Sequence, residues 1–380
     1  MNPSYRPGLF LMVNTLERGG TERQFVTLAQ GSRFENFQLS TGCLSRRGAF
    51  VENLPEVKEF SPGNSLFKAR SFLTRMSLAR HMRHEHVAVA HAFDFYSNLM
   101  LIPAARLAAI SVVIGSHRQL GDLMTPRQFR AQNVAFRWCD RVVCNSRAAT
   151  ERLRGAGVAG DKLVVIPNAL PEAAFAKTAP ALPRETAKLR IGMIARMNDA
   201  IKNHPAFLRM AARLAPKFPN VQFVLVGDGP LRANLEAIAN EAGLGNRVLF
   251  LGDRRDIPAV LASLDITVLP SKSESLSNVI LESMAAGVAV VATDVGGNAE
   301  LLTDGETGFL TTDDDGALAR AVETLLLNDE LRINCGRRSR LQASAQYQLD
   351  VIRDRYEQLY LSTLAAKTGR QELRKARRPA

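Results

Sequence analysis

A chain of 380 residues, 46% hydrophobic and 23% charged, holds enough apolar side chains for roughly two buried cores. The first apolar run, residues 9–13, is too short for a signal peptide, and no later run reaches the ~18 residues of a membrane-spanning helix, so a cytoplasmic protein is expected. Net charge is +12, unevenly spread: residues 1–170 carry 22 Lys and Arg against 12 acids, residues 171–366 carry 21 against 24, and the last 14 carry 6 against 1. A basic first half of this kind attracts nucleic acid or an anionic membrane surface. Cys43, Cys139, Cys144 and Cys335 show neither C-x-x-C spacing nor histidines at zinc spacing, which predicts reduced, buried thiols.

The opening, GLFLMVNTLERGGTERQFVTLAQ, reads as a strand, a loop with Gly19 and Gly20, and a helix. A glycine pair lets the backbone approach a ligand closely, but the spacing is not G-x-G-x-x-G and supports no dinucleotide fingerprint. Residues 66–84 form a basic helical stretch with apolar residues at Leu66, Ala69, Leu73, Met76 and Ala79 and no acid. It is expected to pack on the sheet, with a membrane-surface helix as the other reading. Next come a strand ending near His91, an Ala-rich helix, and a strand ending near Gly115 with His117 and Arg118 just beyond it. Ligands of open parallel sheets bind at the carboxyl ends of strands, which makes these polar residues candidates for an acceptor site. Strand, helix and strand patterns then lead to VVIPN, and the Ala- and Pro-rich stretch 171–188 reads as a linker.

The second half opens on the strand LRIGMIARM and a loop holding Arg196, Lys202 and Asn203, a cationic turn suited to a diphosphate because Arg offers a planar fork and Lys a point charge. A strand ending in GDGP, with Gly227 and Gly229, and another strand and helix lead into DITVLPSKSESLSNVILESMAAGVAVVATDVGGNAELLTDGETGFL, residues 265–310. In it a buried strand stops at Pro270, a loop carries Glu274, and a helix opens after Ser277 as N-cap and closes at Gly287. The amides of Asn278 and Val279 at such a helix start suit a phosphate. Glu282 lies on the same face as Val279, roughly 4–5 Å further along, where its carboxylate accepts from two ribose hydroxyls. Glu274, eight positions earlier, stands near whatever hangs from the phosphates. The acids of TDDDG, residues 312–316, are read as helix capping rather than as a metal site.

The run 265–310 resembles the signature region of glycosyltransferase family 4, with its two glutamates, small-residue helix, Gly, apolar strand, T-x-V-G-G turn and D-G-x-T-G-x-L stretch in order. The start is similar to the family's L-x-x-G-G-x-E-R, and VVIPN to its exit from the first domain, with Ala169 where Gly is usual. The resemblance implies a GT-B fold, that is, α/β with two doubly wound parallel-sheet, Rossmann-like domains facing a cleft. The implied boundaries are 1–170 for an acceptor-side domain, 171–188 for the linker and 189–347 for a nucleotide-sugar domain. A helix at 348–366 crosses back to the first domain with Val351, Tyr356, Leu359 and Tyr360 on its apolar face, and a basic tail follows at 367–380.

The activity implied is retaining, metal-independent transfer of a sugar from a nucleotide diphosphate sugar to a hydroxyl of a glycan or lipid-linked acceptor, with no cofactor. Catalytic roles fall to Arg196, Lys202, Glu274 and His91, although the second His that often follows two residues later is here Phe93. Donor binding falls to Glu282, Ser277, Asn278, Val279, Gly227, Gly229 and Gly20, and the acceptor side to Gly19, His117 and Arg118. An anionic inner membrane leaflet is expected to attract the basic first half, and no nucleic acid is expected as a partner. Other readings are a sugar-nucleotide 2-epimerase on the same fold, a phosphorylase-like enzyme, for which no lysine in a cofactor-binding context is found, and a non-enzymatic basic scaffold binding membrane or nucleic acid.

Overall fold

The computed structural model describes residues 6–31, 34–63, 68–183 and 188–376, with side chains as far as residue 369. The chain divides into two compact units, one of residues 1–169 with 349–380 and one of residues 170–348.

The first unit alternates strand and helix: β1 (Gly8–Val13), α1 (Gly20–Gly31), β2 (Gln38–Cys43), β3 (Lys58–Glu59), α2 (Ala69–His84), β4 (Val87–Ala92), α3 (Phe95–Leu107), β5 (Val112–His117), α4 (Pro126–Phe136), β6 (Arg141–Cys144), α5 (Arg147–Gly155) and β7 (Leu163–Val165). All strand pairs are parallel, in the order β3-β2-β1-β4-β5-β6-β7. β1 and β5 are buried at every position, as central strands covered on both faces must be. α2, α3, α4 and α5 share one core with Phe10, Met12, Ala90 and Val113. α1 and the last helix share the other with Leu9, Leu11, Val89 and Ile114.

The second unit continues with β8 (Leu189–Ile194), α6 (His204–Leu214), β9 (Val221–Val226), α7 (Arg232–Glu241), β10 (Val248–Phe250), α8 (Ile257–Leu261), β11 (Ile266–Leu269), α9 (Asn278–Ala286), β12 (Ala289–Thr293), α10 (Asn298–Leu301), β13 (Phe309–Thr311), α11 (Asp315–Leu327) and α12 (Asp329–Gln346). Its parallel sheet has the order β10-β9-β8-β11-β12-β13. In both sheets the strand order reverses beside the first strand, between β1 and β4 and between β8 and β11. Loops from these neighbours part in opposite directions and leave a crevice at the carboxyl ends, where doubly wound sheets bind ligands.

Several elements differ from the expectation. The segment read as a linker, 171–188, packs on the second unit as far as it is described. A single 3₁₀ turn, Glu172–Phe175, puts Phe175 against the α9 core, and Ala181 N–H donates to Ala259 O at 2.8 Å. Residues 184–187 lie outside the described residues. The last helix, α13 (Leu349–Ala376), runs past the expected end at 366 and buries Ile352, Tyr356, Leu359 and Tyr360 in the first unit, with Ile352 rather than Val351 innermost. The basic tail beyond residue 376 lies outside the described residues.

α2 is rotated from the apolar stripe its sequence offers. It buries Ser71, Thr74, Leu78, Ala79 and Met82 and leaves Leu73 65% exposed; Leu66 lies outside the described residues. The two buried hydroxyls bond backbone carbonyls, Thr74 to Ser61 O at 3.0 Å and Ser71 to Pro62 O at 3.3 Å, so the polar positions can face inward. The four cysteines are free and buried; burial pushes the Cys43 and Cys139 thiols up to about 12 and Cys144 to about 11.

Candidate active site

At the carboxyl ends of β8 and β11, two loops are laced together. The loop after β8 is pinned by Asp199, whose carboxylate accepts from Ile201 N–H at 3.0 Å, and turns into α6 through Asn203 in the left-handed conformation, φ 55°. The loop after β11 joins it where Lys272 N–H donates to Ile201 O at 2.8 Å. That bond sets Lys202 beside Glu274, and the ammonium meets the carboxylate Oε1 at 2.6 Å. Glu274 is only 9% exposed. The same oxygen accepts from Ser271 Oγ at 2.9 Å, and Gly297 N–H holds the Glu274 carbonyl at 3.0 Å. The VGG turn therefore fixes the backbone of the loop that carries Glu274, and Ser271 aims its side chain. Neither role is visible in the sequence; the only signal was that SKSES and VGG stand in one uninterrupted motif.

The helix beside these loops starts as its residues dictate. Ser277 caps α9 by accepting from Ile280 N–H at 3.3 Å, and Gly287 closes it at φ 74°. Asn278 and Val279 occupy the first turn and are half-buried, as is Glu282 one turn on. The positive end of α9 and the pair Lys202 and Glu274 thus flank the same strand end, a place fit for a diphosphate and the group it carries.

Arg196 is exposed on the loop after β8, and its backbone is held from both sides by the β9 turn. Ala195 N–H donates to Val226 O at 2.9 Å and Met197 N–H to Asp228 O at 2.9 Å. Such close packing requires glycine at 227: its φ is 132°, and a Cβ there would stand 2.0 Å from Ala195 O. Gly229 likewise sits against Met197 O. Both glycines act here by positioning the Arg196 loop. Gly227→Ala is expected to cost about 2–4 kcal/mol through strain and clash. Urea denaturation alongside turnover checks this; unchanged stability and activity would remove the positioning role.

The acids of TDDDG serve structure. Asp314 caps α11 through Ala317 N–H at 2.6 Å, Asp315 takes Arg209 through both oxygens at 2.5 and 3.1 Å, and Asp313 accepts from Asn203 Nδ2 at 3.2 Å.

In the first unit, Gly19 and Gly20 stand at the turn into α1, at the carboxyl end of β1. Asp94, which sequence reasoning passed over, bridges the strand ends at the reversal: its carboxylate accepts from Asn14 N–H at 2.5 Å and caps α3 through Tyr96 and Ser97. Burial, the leading cause, raises this carboxyl above the usual range even though those hydrogen bonds pull it down. His91 is fully buried within β4, and neither ring nitrogen is open. Nδ1 meets Tyr360 OH at 2.8 Å and Nε2 meets Ser116 Oγ at 2.7 Å, and burial, helped by Arg118, depresses its pKa to about 3. This is the geometry of a neutral core imidazole, and it does not fit proton transfer to a substrate.

His117 lies inside β5 rather than past its end, also buried, with Gln132 Nε2 donating to Nδ1 at 3.0 Å. Its Nε2 has no partner among the described residues. Arg118 is tied to Tyr356 OH at 3.0 Å and Asn168 Oδ1 at 2.6 Å, so part of its fork is engaged by its own unit.

Two doubly wound parallel-sheet units of this kind make up a two-domain, Rossmann-like GT-B fold. The sequence profile described as "Glycosyl transferases group 1" matches residues 188–328, and that described as "Glycosyltransferase Family 4" matches residues 18–173. The chain is 32% identical over 251 residues to the lipopolysaccharide core biosynthesis glycosyltransferase LpsE of Rhizobium meliloti, covering 64% of this chain and 69% of that one. It is 33% identical over 173 residues to the N-acetyl-alpha-D-glucosaminyl L-malate synthase of Bacillus anthracis, spanning 43% of that enzyme. The chain belongs to the glycosyltransferases of this family. Its fold is similar to that of Anabaena Alr3699/HepE in complex with UDP, with a TM-score of 0.82 and 22% identity over 93% of this chain and 100% of that one. It is also similar to sucrose-phosphate synthase of Thermosynechococcus elongatus, with a TM-score of 0.77 and 20% identity over 95% of this chain and 100% of that one.

Proposed function

We propose that the chain is a retaining hexosyltransferase that moves a sugar from a nucleotide diphosphate sugar to a hydroxyl of a glycan or lipid-linked acceptor. The observation that carries this reading is Lys202 Nζ at 2.6 Å from a nearly buried Glu274, beside the start of α9. As the bond from the anomeric carbon to the phosphate oxygen breaks, negative charge grows on the diphosphate. In this reading Arg196, Lys202 and the amides of Asn278 and Val279 stabilise it, and no metal is assigned to that task. Glu282 holds the ribose hydroxyls. Glu274, aimed by Ser271 and Lys202, holds hydroxyls of the donor sugar. The acceptor oxygen bonds to the anomeric carbon on the face the diphosphate leaves, and its proton passes to the departing phosphate oxygen.

His91 is not part of this scheme. Gly19, His117 and Arg118 remain the acceptor-side assignment, His117 through an Nε2 with no partner among the described residues, and Gly20 remains a donor-side assignment. The acceptor is taken at an anionic membrane surface on the cytoplasmic side, in keeping with the basic first unit. No helix among the described residues is long and apolar enough to cross a membrane.

Alr3699/HepE is known with UDP and with UDP-glucose, which makes uridine nucleotides the first probes. A thermal-shift screen of UDP, GDP, ADP and their sugars should stabilise the chain with one base, by about 2.7 kcal/mol at 100 times the dissociation constant. Incubating the stabilising sugar nucleotide with candidate acceptors should then yield a glycoside with retained anomeric configuration. No shift with any nucleotide would overturn the reading, and recovery of an epimerised donor without transfer would favour the epimerase.

A further inference from the structure

We infer that the outer face of the α2, α3 and α4 layer is the surface by which the first unit docks on an anionic lipid bilayer. This rests on the membrane-associated acceptor reading above and assigns it to named residues. Residues 68–84 and 123–138 together carry eight Lys and Arg and no Asp or Glu. α2 turns Ser71, Thr74, Leu78 and Met82 inward, so its opposite stripe presents Arg70, Leu73, Ser77 and Arg80. α4 turns Gln132, Ala135 and Phe136 inward and presents Arg127, Arg130 and Val134, with the C-cap residue Arg137 exposed next in line. The two helices flank α3 on the same side of the sheet, since all three share the core of Phe10, Met12 and Val113.

Three features point to lipid. Arg70, Arg80, Arg127, Arg130 and Arg137 have no acidic partner among the described residues, whereas three of the acids near the face are engaged, Asp140 by Arg106 and Lys367, Glu85 by His84 and Asp94 in its cap; Asp122 stands exposed just before α4. Leu73, Val134 and Trp138 stand between these arginines at 65%, 52% and 54% exposure. Exposed apolar side chains among unpaired arginines, with Trp at the rim, match an interface whose headgroups are anionic and whose next layer is hydrocarbon. The inward turn of two hydroxyl residues on α2, which frees Leu73 to face out, completes the arrangement.

The full chain contains one tryptophan, so Trp138 reports directly on this face. With vesicles of phosphatidylcholine carrying phosphatidylglycerol, the protein should sediment, its emission should move to the blue, and both effects should weaken with salt. Pure phosphatidylcholine should give neither. Arg127→Gln, Arg130→Gln and Arg137→Gln combined should weaken binding about 100-fold, at roughly fivefold per residue near the surface. Leu73→Asn with Val134→Asn should weaken it further without changing the salt slope, and the nucleotide thermal shift should be intact in every variant. Equal binding by the arginine variant overturns the assignment of this face while the membrane reading stands. Absence of wild-type binding overturns both, and leaves the nucleotide-sugar chemistry to be judged by the thermal shift. Tight binding to single-stranded RNA or DNA without a shift in Trp138 emission would give the charge to another partner and overturn the proposal.

Discussion

Lys202→Ala is expected to lower kcat for sugar transfer about 10²–10³-fold, the scale of removing one preorganised group from a charge that grows in the transition state. Arg196→Ala should act in the same direction. The two substitutions differ in what they do to the fold. Arg196 lies exposed on its loop, so its loss should leave stability nearly unchanged. Lys202 is the cationic partner of Glu274, which is 9% exposed, so Lys202→Ala leaves that carboxylate with Ser271 as its remaining side-chain partner among the described residues. Some destabilisation follows, well short of a fully buried pair because the Lys202 side chain is 33% exposed.

A double-mutant cycle separates the two effects. Lys202→Ala with Glu274→Gln should recover much of the lost stability, because the unpaired charge is gone, and should recover none of the turnover. Lys202→Arg keeps the charge and should fall between. Stopped assays with the stabilising sugar nucleotide, run beside urea denaturation, measure both quantities. Wild-type turnover in both alanine variants would remove these cations from the leaving-group role.

Elements whose causes are local were legible in the chain. Ser277 and Gly287 bound α9 where cap chemistry says they must, and Asp314 caps α11 for the same reason. The strand and helix alternation declared two parallel sheets. What escaped depends on residues brought together from afar. Lys202 and Glu274 lie 72 positions apart, and only the reversal of strand order between β8 and β11 makes them neighbours. Periodicity chose the apolar stripe of α2, but carbonyls of Ser61 and Pro62 offered partners to Thr74 and Ser71 and turned the helix. The Ala- and Pro-rich stretch after residue 170 looked like a linker because its anchors, Ala259 and Ser263, come about 80 positions later. His91 looked like a site residue because it ends a strand; the hydroxyl that closes Nδ1 comes from Tyr360 on the last helix.

That burial gives the first unit a distinct response to acid. His91 is depressed to about 3, by burial first and then by Arg118, and His117 to about 4, by burial and then by Arg152. In the unfolded chain both titrate near 6.5. Between about pH 6.5 and 4 the unfolded state therefore binds up to two more protons than the folded one, and stability rises with pH in that window. It is fully present above 6.5 and is lost as pH falls, at a limit of about 2.7 kcal/mol per pH unit when both groups contribute. Asp94, whose raised carboxyl acts in the opposite sense, offsets part of this near the acid end. His91→Gln with His117→Gln should be less stable than wild type at pH 8, because packing and hydrogen bonds are lost. Its stability should change much less from pH 7 to pH 5, so the two curves converge. Denaturation followed by the emission of Trp138, which lies in this unit, measures both. Parallel curves would mean that the imidazoles titrate normally. The same depression predicts that a kinetic pKa near 6.5 for sugar transfer, if one is measured, survives His91→Gln, because an imidazole that is neutral at that pH and engaged at both nitrogens offers a substrate neither a free N–H nor a free lone pair.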